Sequence, residues 1–413
     1  MALSVEGTFL ILGGIIIIGY LGELFSKKFA VPSALLLLII GYALKLSGYV
    51  ELGSLNGIQD FFGSLALIVL LFDGGLSINI YEILFKSGRM LLNSLLTMGL
   101  GVIGTTILFT ALGLDPLLGA ITGAIVGGIG STTTISILRG LSLPSSVKNF
   151  LTLESSITDV FAIIFTIVLT QAVISGNIDV QTICQGIAGK FAVGIIFGIV
   201  VGVLTIAFSS KIEKGYNYMV TLAIVLMLFA ITEFLGGSGA ISALIFGIAL
   251  GNETTVRKIL HLESKNKKQI VKELQVEVSF FIRTFFFVFL GAIVTIGGID
   301  NFVIACAIMA LLYVIRYVSI KISTAKSQLV GYGRILTVIC PRGLATAVLA
   351  TYPLAIIQGA INNGNNGLVE ALADAKMIPE ISFYIIVLSI VITTIAVPFV
   401  MKKNMAVKEN SSK

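Results

Sequence analysis

Residues 149–169 read NFLTLESSITDVFAIIFTIVL, an apolar run of membrane-spanning length with two carboxylates, Glu154 and Asp159, inside it. A helix needs about 20 apolar residues to cross about 30 Å of hydrocarbon. Counted from the start of this run, a rise of 1.5 Å per residue puts Asp159 about 15 Å deep, near the midplane. An ionisable group at that depth is costly unless it is paired or lines water, which makes it a functional candidate. Ser155 lies one turn before Asp159 on the same helix face, and Thr158 is adjacent. An oxygen-only cluster of this kind suits a hard cation such as Na+ at Asp159 and Ser155. The alternative is that Ser155 and Thr158 bond back to their own helix and Asp159 pairs with an arginine. Glu154 points about 140° away from Asp159 around the helix and reads as half of a structural salt bridge.

Runs of the same kind recur along all 413 residues: 5–25, 31–48, 61–80, 89–112, 116–138, 149–175, 182–208, 216–234, 238–251, 276–297, 301–323, 330–357 and 380–400. Apolar residues make up 56% of the chain and charged ones only 12%, about half the share in a soluble protein. The expected fold is therefore an all-α polytopic membrane protein with about thirteen transmembrane helices in a single transmembrane domain, 1–413. A soluble enzyme and a nucleic-acid binder are excluded. The acidic Glu6 and the lack of a small-residue cleavage site make the first run a retained span. Cys184, Cys306 and Cys340 lie far apart in or near apolar runs and read as small apolar side chains. With His261 as the lone histidine, no metal cofactor is expected.

The net charge of +6 is explained by topology. Connections carrying Lys27 and Lys28, Lys86 and Arg89, Arg139 and Lys148, Lys211 and Lys214, the 252–275 stretch, Lys321, Lys326 and Arg334, and the tail hold 21 of the 27 basic residues. The alternate connections carry Glu51, Asp60, Asp115, Asp179, Asp300, Glu370 and Asp374, with Lys45 and Lys376. The positive-inside rule places the C-terminus in the cytoplasm and the N-terminus outside, which an odd number of spans satisfies. The 252–275 stretch reads as an amphipathic cytoplasmic connector on the membrane surface. Residues 359–378, rich in Asn and Gly, read as an external loop.

Two spans carry marks of interruption. The fifth contains GAIVGGIGSTTTISIL, where Gly127, Gly128 and Gly130 precede Ser131 and three threonines. The twelfth contains ILTVICPRGLATAVLA, where Pro341 removes a backbone donor, Gly343 weakens the helix and Arg342 stands between them. In lipid the backbone opens only where it lines a cavity. Interrupted helices at corresponding places in two inverted halves point to a transporter binding site. Six charges sit well inside spans: Asp73, Glu154, Asp159, Arg283, Arg316 and Arg342.

Taken together, LLFDGGLSIN at 70–79, GSTTT at 130–134, LESSITD at 153–159 and CPRGLATAV at 340–348 give a chain that resembles the monovalent cation/proton antiporters, most closely the prokaryotic NhaP-type sodium/proton antiporters. The resemblance implies an NhaA/NhaP-like fold with inverted repeats and two broken helices crossing at the midplane. It implies a core bundle of 86–178 and 299–401 moving against a dimerisation bundle of 1–85 and 213–298. The connecting span would be 179–212 and the short basic cytoplasmic tail 402–413. Asp159 would bind cation and proton, with Ser155, Thr158 and the backbone near Gly130 and Ser131 as further ligands, and Asp73 would approach the ion. Glu154 and Arg342 would form a structural ion pair. Two positions depart from the pattern: Gly130 stands where many NhaP members have Asp, and Thr158 where that group has Asn. The Gly-Ser-Thr sequence also occurs in a related branch that includes potassium/proton exchangers.

The function implied is exchange of Na+, with Li+ as a second substrate, for H+ across the cytoplasmic membrane by a homodimer, electroneutral and by elevator-type alternating access. The partners implied are the monovalent cation, the proton and membrane lipid, with no cofactor and no nucleic acid. K+/H+ exchange within the same superfamily is the alternative, and a cation channel or uniporter is the rival of a different class.

Overall fold

The computed structural model describes residues 13–22, 33–47, 56–77, 88–175, 180–208, 217–259, 268–293, 298–362 and 365–411, with Leu10 and Leu24. The described residues are helical nearly throughout. The helices are α1 (Gly13–Gly22), α2 (Ser33–Leu46), α3 (Asn56–Ser77), α4 (Gly88–Ala111), α5 (Pro116–Gly127), α6 (Ser131–Arg139), α7 (Ser145–Ser175) and α8 (Val180–Phe208). They continue with α9 (Asn217–Phe234), α10 (Gly239–Gly251), α11 (Glu253–Ile259), α12 (Lys268–Ile293), α13 (Ile299–Ser323), α14 (Gly333–Val338), α15 (Leu344–Asn362), α16 (Val369–Ala375) and α17 (Met377–Ser411). Each of the thirteen expected spans contains described helix. Among the described residues six helices are by themselves long and apolar enough to cross a membrane. The fifth and twelfth spans are each split in two, as α5 with α6 and α14 with α15. A further break bends α10 against α11 by 77°.

The 252–275 stretch, expected as an amphipathic connector, carries two described helical parts. Its first part is the short α11, and residues 268–275 are the opening turns of α12; the part between, with His261, lies outside the described residues. The expected loop at 359–378 likewise contains a helix, α16. Lys27, Lys28, Glu51, Lys86, Asp179, Lys211 and Lys214 lie outside the described residues.

The chain forms two compact units: Met1–Gly57, Ser87–Ile174 and Thr284–Lys413 in the first, and Ile58–Lys86 and Ser175–Arg283 in the second. Residues 1–57, expected with the dimerisation bundle, group with the first unit. One reason is visible at α2, whose Gly41 lets its backbone touch that of Val288 on α12, while Gly291 of α12 touches Leu38. Small residues give such backbone contact where lipid supplies no hydrophobic drive between helices.

Within the first unit, α5 lies on α4 through Gly119 and Gly123; a Cβ on Gly123 would come within 2.9 Å of Val102 Cα. On the other side, Gly104 of α4 meets Leu311 and Ile315 of α13. A fully buried cluster of Leu138, Phe150, Ile320, Leu336 and Val397 ties together α6, α7, α13, α14 and α17. In the second unit, Gly75, Gly247 and Gly251 bring α3 and α10 into backbone contact. Arg257 of α11 pairs with Glu253 at 2.7 Å and donates to Ile206 O, near the end of α8, at 3.0 Å.

Candidate functional site

The site is built where the two broken spans cross. Between α5 and α6 the backbone is extended at Gly128 (φ −63°, ψ 142°) and Gly130 (φ −60°, ψ 111°). Gly130 N–H donates to Pro341 O at 2.9 Å, so the two breaks are joined backbone to backbone. A Cβ on Gly130 would lie 2.7 Å from both Cα and N of Gly343, closer than real Cβ atoms come. This gives the departure at position 130 a physical reason: the crossing has no room there for a side chain, aspartate included. Gly130→Ala is expected to force the breaks apart and to lose most of the exchange signal and most of the membrane-inserted yield. Gly343→Ala should be milder, because its Cβ meets chiefly the Thr133 hydroxyl, at 2.9 Å. Quantitative expression and transport assays on the two variants check the order.

Breaking a helix exposes carbonyls at its C-terminal end, which carries partial negative charge. Arg342, 2% exposed, answers two such ends: its Nε donates to Val126 O near the end of α5, and its Nη1 to Cys340 O just past α14, both at 2.6 Å. Its own N–H donates to Ser389 Oγ of α17 at 2.9 Å. Arg316 caps α14 from the other side, donating to Leu336 O, Thr337 O and Ile339 O.

The expected Glu154–Arg342 pair is therefore corrected. Glu154 pairs with Arg316, Nη1 to Oε1 at 2.7 Å and Nη2 to Oε2 at 3.1 Å, with both side chains out of solvent. Asn93 of α4 donates to the same carboxylate, and Ser323 donates to Asn93 Oδ1. Arg342 is already committed to the carbonyls of the half-helices. Arg316 is among the six mid-span charges, but nothing in the local pattern chooses it over Arg342; the cue is that α14 needs its C-terminal carbonyls capped. Asn93, Ser323 and Ser389 carry no comparable cue.

Asp159 faces the break in the fifth span. Its Oδ2 accepts from the N–H of Ser131, the first residue of α6, at 3.1 Å. Its Oδ1 is shielded from solvent and has no hydrogen-bond partner. A Cβ on Gly128 would stand 3.7 Å from that oxygen, so the opened backbone lies beside it. Thr158 accepts from the N–H of Ile129 at 3.1 Å and donates to Ser155 O at 3.1 Å, so it holds the break open from α7. Ser155, fully buried, donates to Thr152 O at 2.9 Å, which is the helix-bonded arrangement, and its lone pairs are what it has to offer a cation. The structure thus brings Asp159, Ser131, Gly130, Thr158 and Ser155 to one break. Asp73 belongs to the second unit, where it accepts from the Ser279 hydroxyl. Ser279, on a phenylalanine-rich stretch, is a partner that the sequence pattern does not signal.

Residues 13–403 match the family model described as "Sodium/hydrogen exchanger, transmembrane". A K(+)/H(+) antiporter NhaP2 of Shewanella sp. (strain MR-4) is 31% identical over 203 residues, 46% of this chain and 34% of that protein. A probable Na(+)/H(+) antiporter 2 of Methanocaldococcus jannaschii is 25% identical over 340 residues, 75% of this chain and 78% of that one. The NhaP2 alignment thus spans about a third of that relative's length. Among solved structures, the sodium proton antiporter MjNhaP1 of Methanocaldococcus jannaschii superposes with a TM-score of 0.74 at 20% identity, covering 93% of this chain and 98% of that one. That likeness is one of fold.

Proposed function

The chain belongs to the sodium/hydrogen exchanger family, a family of transporters, and we propose that it exchanges a monovalent cation for H+ with Asp159 as the shared binding group. The observation that carries this reading is the Asp159 carboxylate at the break, one oxygen held by Ser131 and the other shielded and without a partner. A carboxylate with one oxygen shielded and without a partner is costly to leave charged. A proton or a dehydrated cation relieves that cost equally, so the two compete for one anion. The carboxylate, the hydroxyls of Ser155 and Thr158 and the opened backbone carbonyls offer oxygen ligands of the kind a hard cation takes.

The residues divide the work. Arg342 and Arg316 neutralise the carbonyl ends of the half-helices, so the cation does not have to. Thr158 and the Gly130–Pro341 bond keep the break open, and Ser131 aims the carboxylate. An occupied site is neutral and can cross by alternating access, whereas an empty charged one costs too much to move. One carboxylate then couples one cation to one proton, which makes the exchange electroneutral. Asp73 is proposed to serve the cation's approach. The chain is read as a homodimer in the cytoplasmic membrane, N-terminus outside, on the strength of the charge pattern and the resemblance.

The sequence motifs put Na+ first. K+ is favoured by a separate observation, the absence of a second carboxylate at Gly130 together with relatives named K(+)/H(+) antiporters. Exchange driven by a pH gradient in proteoliposomes, with Na+, Li+ and K+ side by side, tests both the activity and the ion. Downhill cation flux without opposite proton movement would overturn the antiporter reading in favour of a channel. Competition also fixes a pH dependence: the apparent cation KM should rise as pH falls, approaching tenfold per pH unit once the proton wins, while maximal rate changes little. A KM flat with pH would show that the proton does not share the cation's site.

A further inference from the structure

Among the buried oxygens without a hydrogen-bond partner, two lie within a turn or so of the fifth-span break: Asp159 Oδ1 on α7 and Thr134 Oγ1 on α6. Thr134 is fully buried. Its direction follows from its neighbours. The Thr133 hydroxyl lies toward Gly343, so Thr133 faces the break in the twelfth span. Thr134 is turned about 100° from it, onto the side of α6 shared at i,i+3 with Ser131. Ser131 meets the Asp159 carboxylate through its N–H.

The connection between α6 and α7 is short, residues 140–144, so the two helices run antiparallel. One turn along α6 from Ser131 therefore corresponds to one turn back along α7 from Asp159. That step sets Thr134 at the level of Ser155, whose own proton is given to Thr152 O. A buried hydroxyl with no partner is costly. Here it stands one turn from a carboxylate oxygen in the same condition, with a hydroxyl lone pair at its level.

We propose that Thr134 is a specificity-determining ligand for the transported cation, its hydroxyl supplying the oxygen that position 130 has no room to carry. This rests on the exchange assigned above to Asp159. A hydroxyl adds a dipole in place of a second charge, so the site keeps one negative charge and is neutral when one cation fills it. The weaker field makes each ligating oxygen count most for the cation that is hardest to dehydrate. Loss of the Thr134 hydroxyl should therefore weaken Li+ and Na+ more than K+.

Thr134→Val, which keeps shape and removes the hydroxyl, should raise the apparent KM for Na+ and Li+ about tenfold with little change in maximal rate, and Thr134→Ser should restore it. Should the valine variant express poorly, Thr134→Ala is read instead by the rise in melting temperature that added Na+ gives purified protein. Wild type should show a rise that the variant lacks. An unchanged KM for all three ions with a raised melting temperature would overturn the proposal, since that marks a hydroxyl merely tolerated in the core. Absence of exchange in the wild-type protein would instead overturn the function on which the proposal rests.

Discussion

Replacing Asp159 with Asn is expected to abolish exchange, to below about a tenth of wild type, while leaving a folded, membrane-inserted protein. The amide oxygen can still accept from the Ser131 N–H, so the contact between α7 and α6 survives the change. What is lost is chemical: an amide neither takes up a proton near neutral pH nor neutralises a dehydrated cation. With no anion in the site there is nothing for the two substrates to compete over, and coupling disappears along with turnover. The measurement is cation-driven proton movement in proteoliposomes for all three cations, beside size-exclusion profiles and melting curves. Exchange retained in a well-folded variant would move the shared site away from Asp159, with Asp73 the next carboxylate to test.

The parts of this molecule that follow from short-range pattern are the parts that the sequence displays. Twenty-residue apolar runs leave the chain little alternative to spanning helices, and Gly127 to Gly130 and Pro341 to Gly343 mark both breaks. Asp159 is conspicuous because a charge in the middle of an apolar run has to be explained. The choice of arginine is another matter. Glu154 and Arg316 are brought together by the meeting of α7 with α13, and the deciding term is the demand of α14 for a cap, which no local spacing encodes. Hydroxyls are ambiguous for a different reason: Ser155 can face a cation or bond back to Thr152, and its place one turn before Asp159 allows both. Thr158 shows how a departure can preserve a role. Where the resemblance expects an asparagine, its hydroxyl supplies an acceptor for the Ile129 N–H, as an amide oxygen can. Gly130 shows the opposite case, where the crossing backbones dictate the residue and the lost carboxylate has to be made up elsewhere.

Glu154→Gln and Arg316→Gln are each expected to cause large losses of thermal stability, larger than that of Asp159→Asn. Either change leaves one charge unpaired in a low-dielectric interior, a situation that typically costs about 3–5 kcal/mol. The two losses should differ. Arg316 also donates to three carbonyls at the end of α14, whereas Glu154 keeps a neutral donor in Asn93 when it becomes an amide. Arg316→Gln should therefore be the worse of the pair. In the double variant no lone charge remains, so part of the sum should be recovered, but the uncapped end of α14 persists and recovery stays incomplete. A cycle of Glu154 with Arg342 should instead be additive to within about 0.5 kcal/mol, because Arg342 bonds to Val126 and Cys340 and not to Glu154. Melting temperatures of detergent-solubilised protein for the wild type and the five variants give both cycles. Strict additivity for Glu154 and Arg316, with coupling between Glu154 and Arg342, would reverse the assignment of the ion pair and with it the account of how the half-helix ends are neutralised.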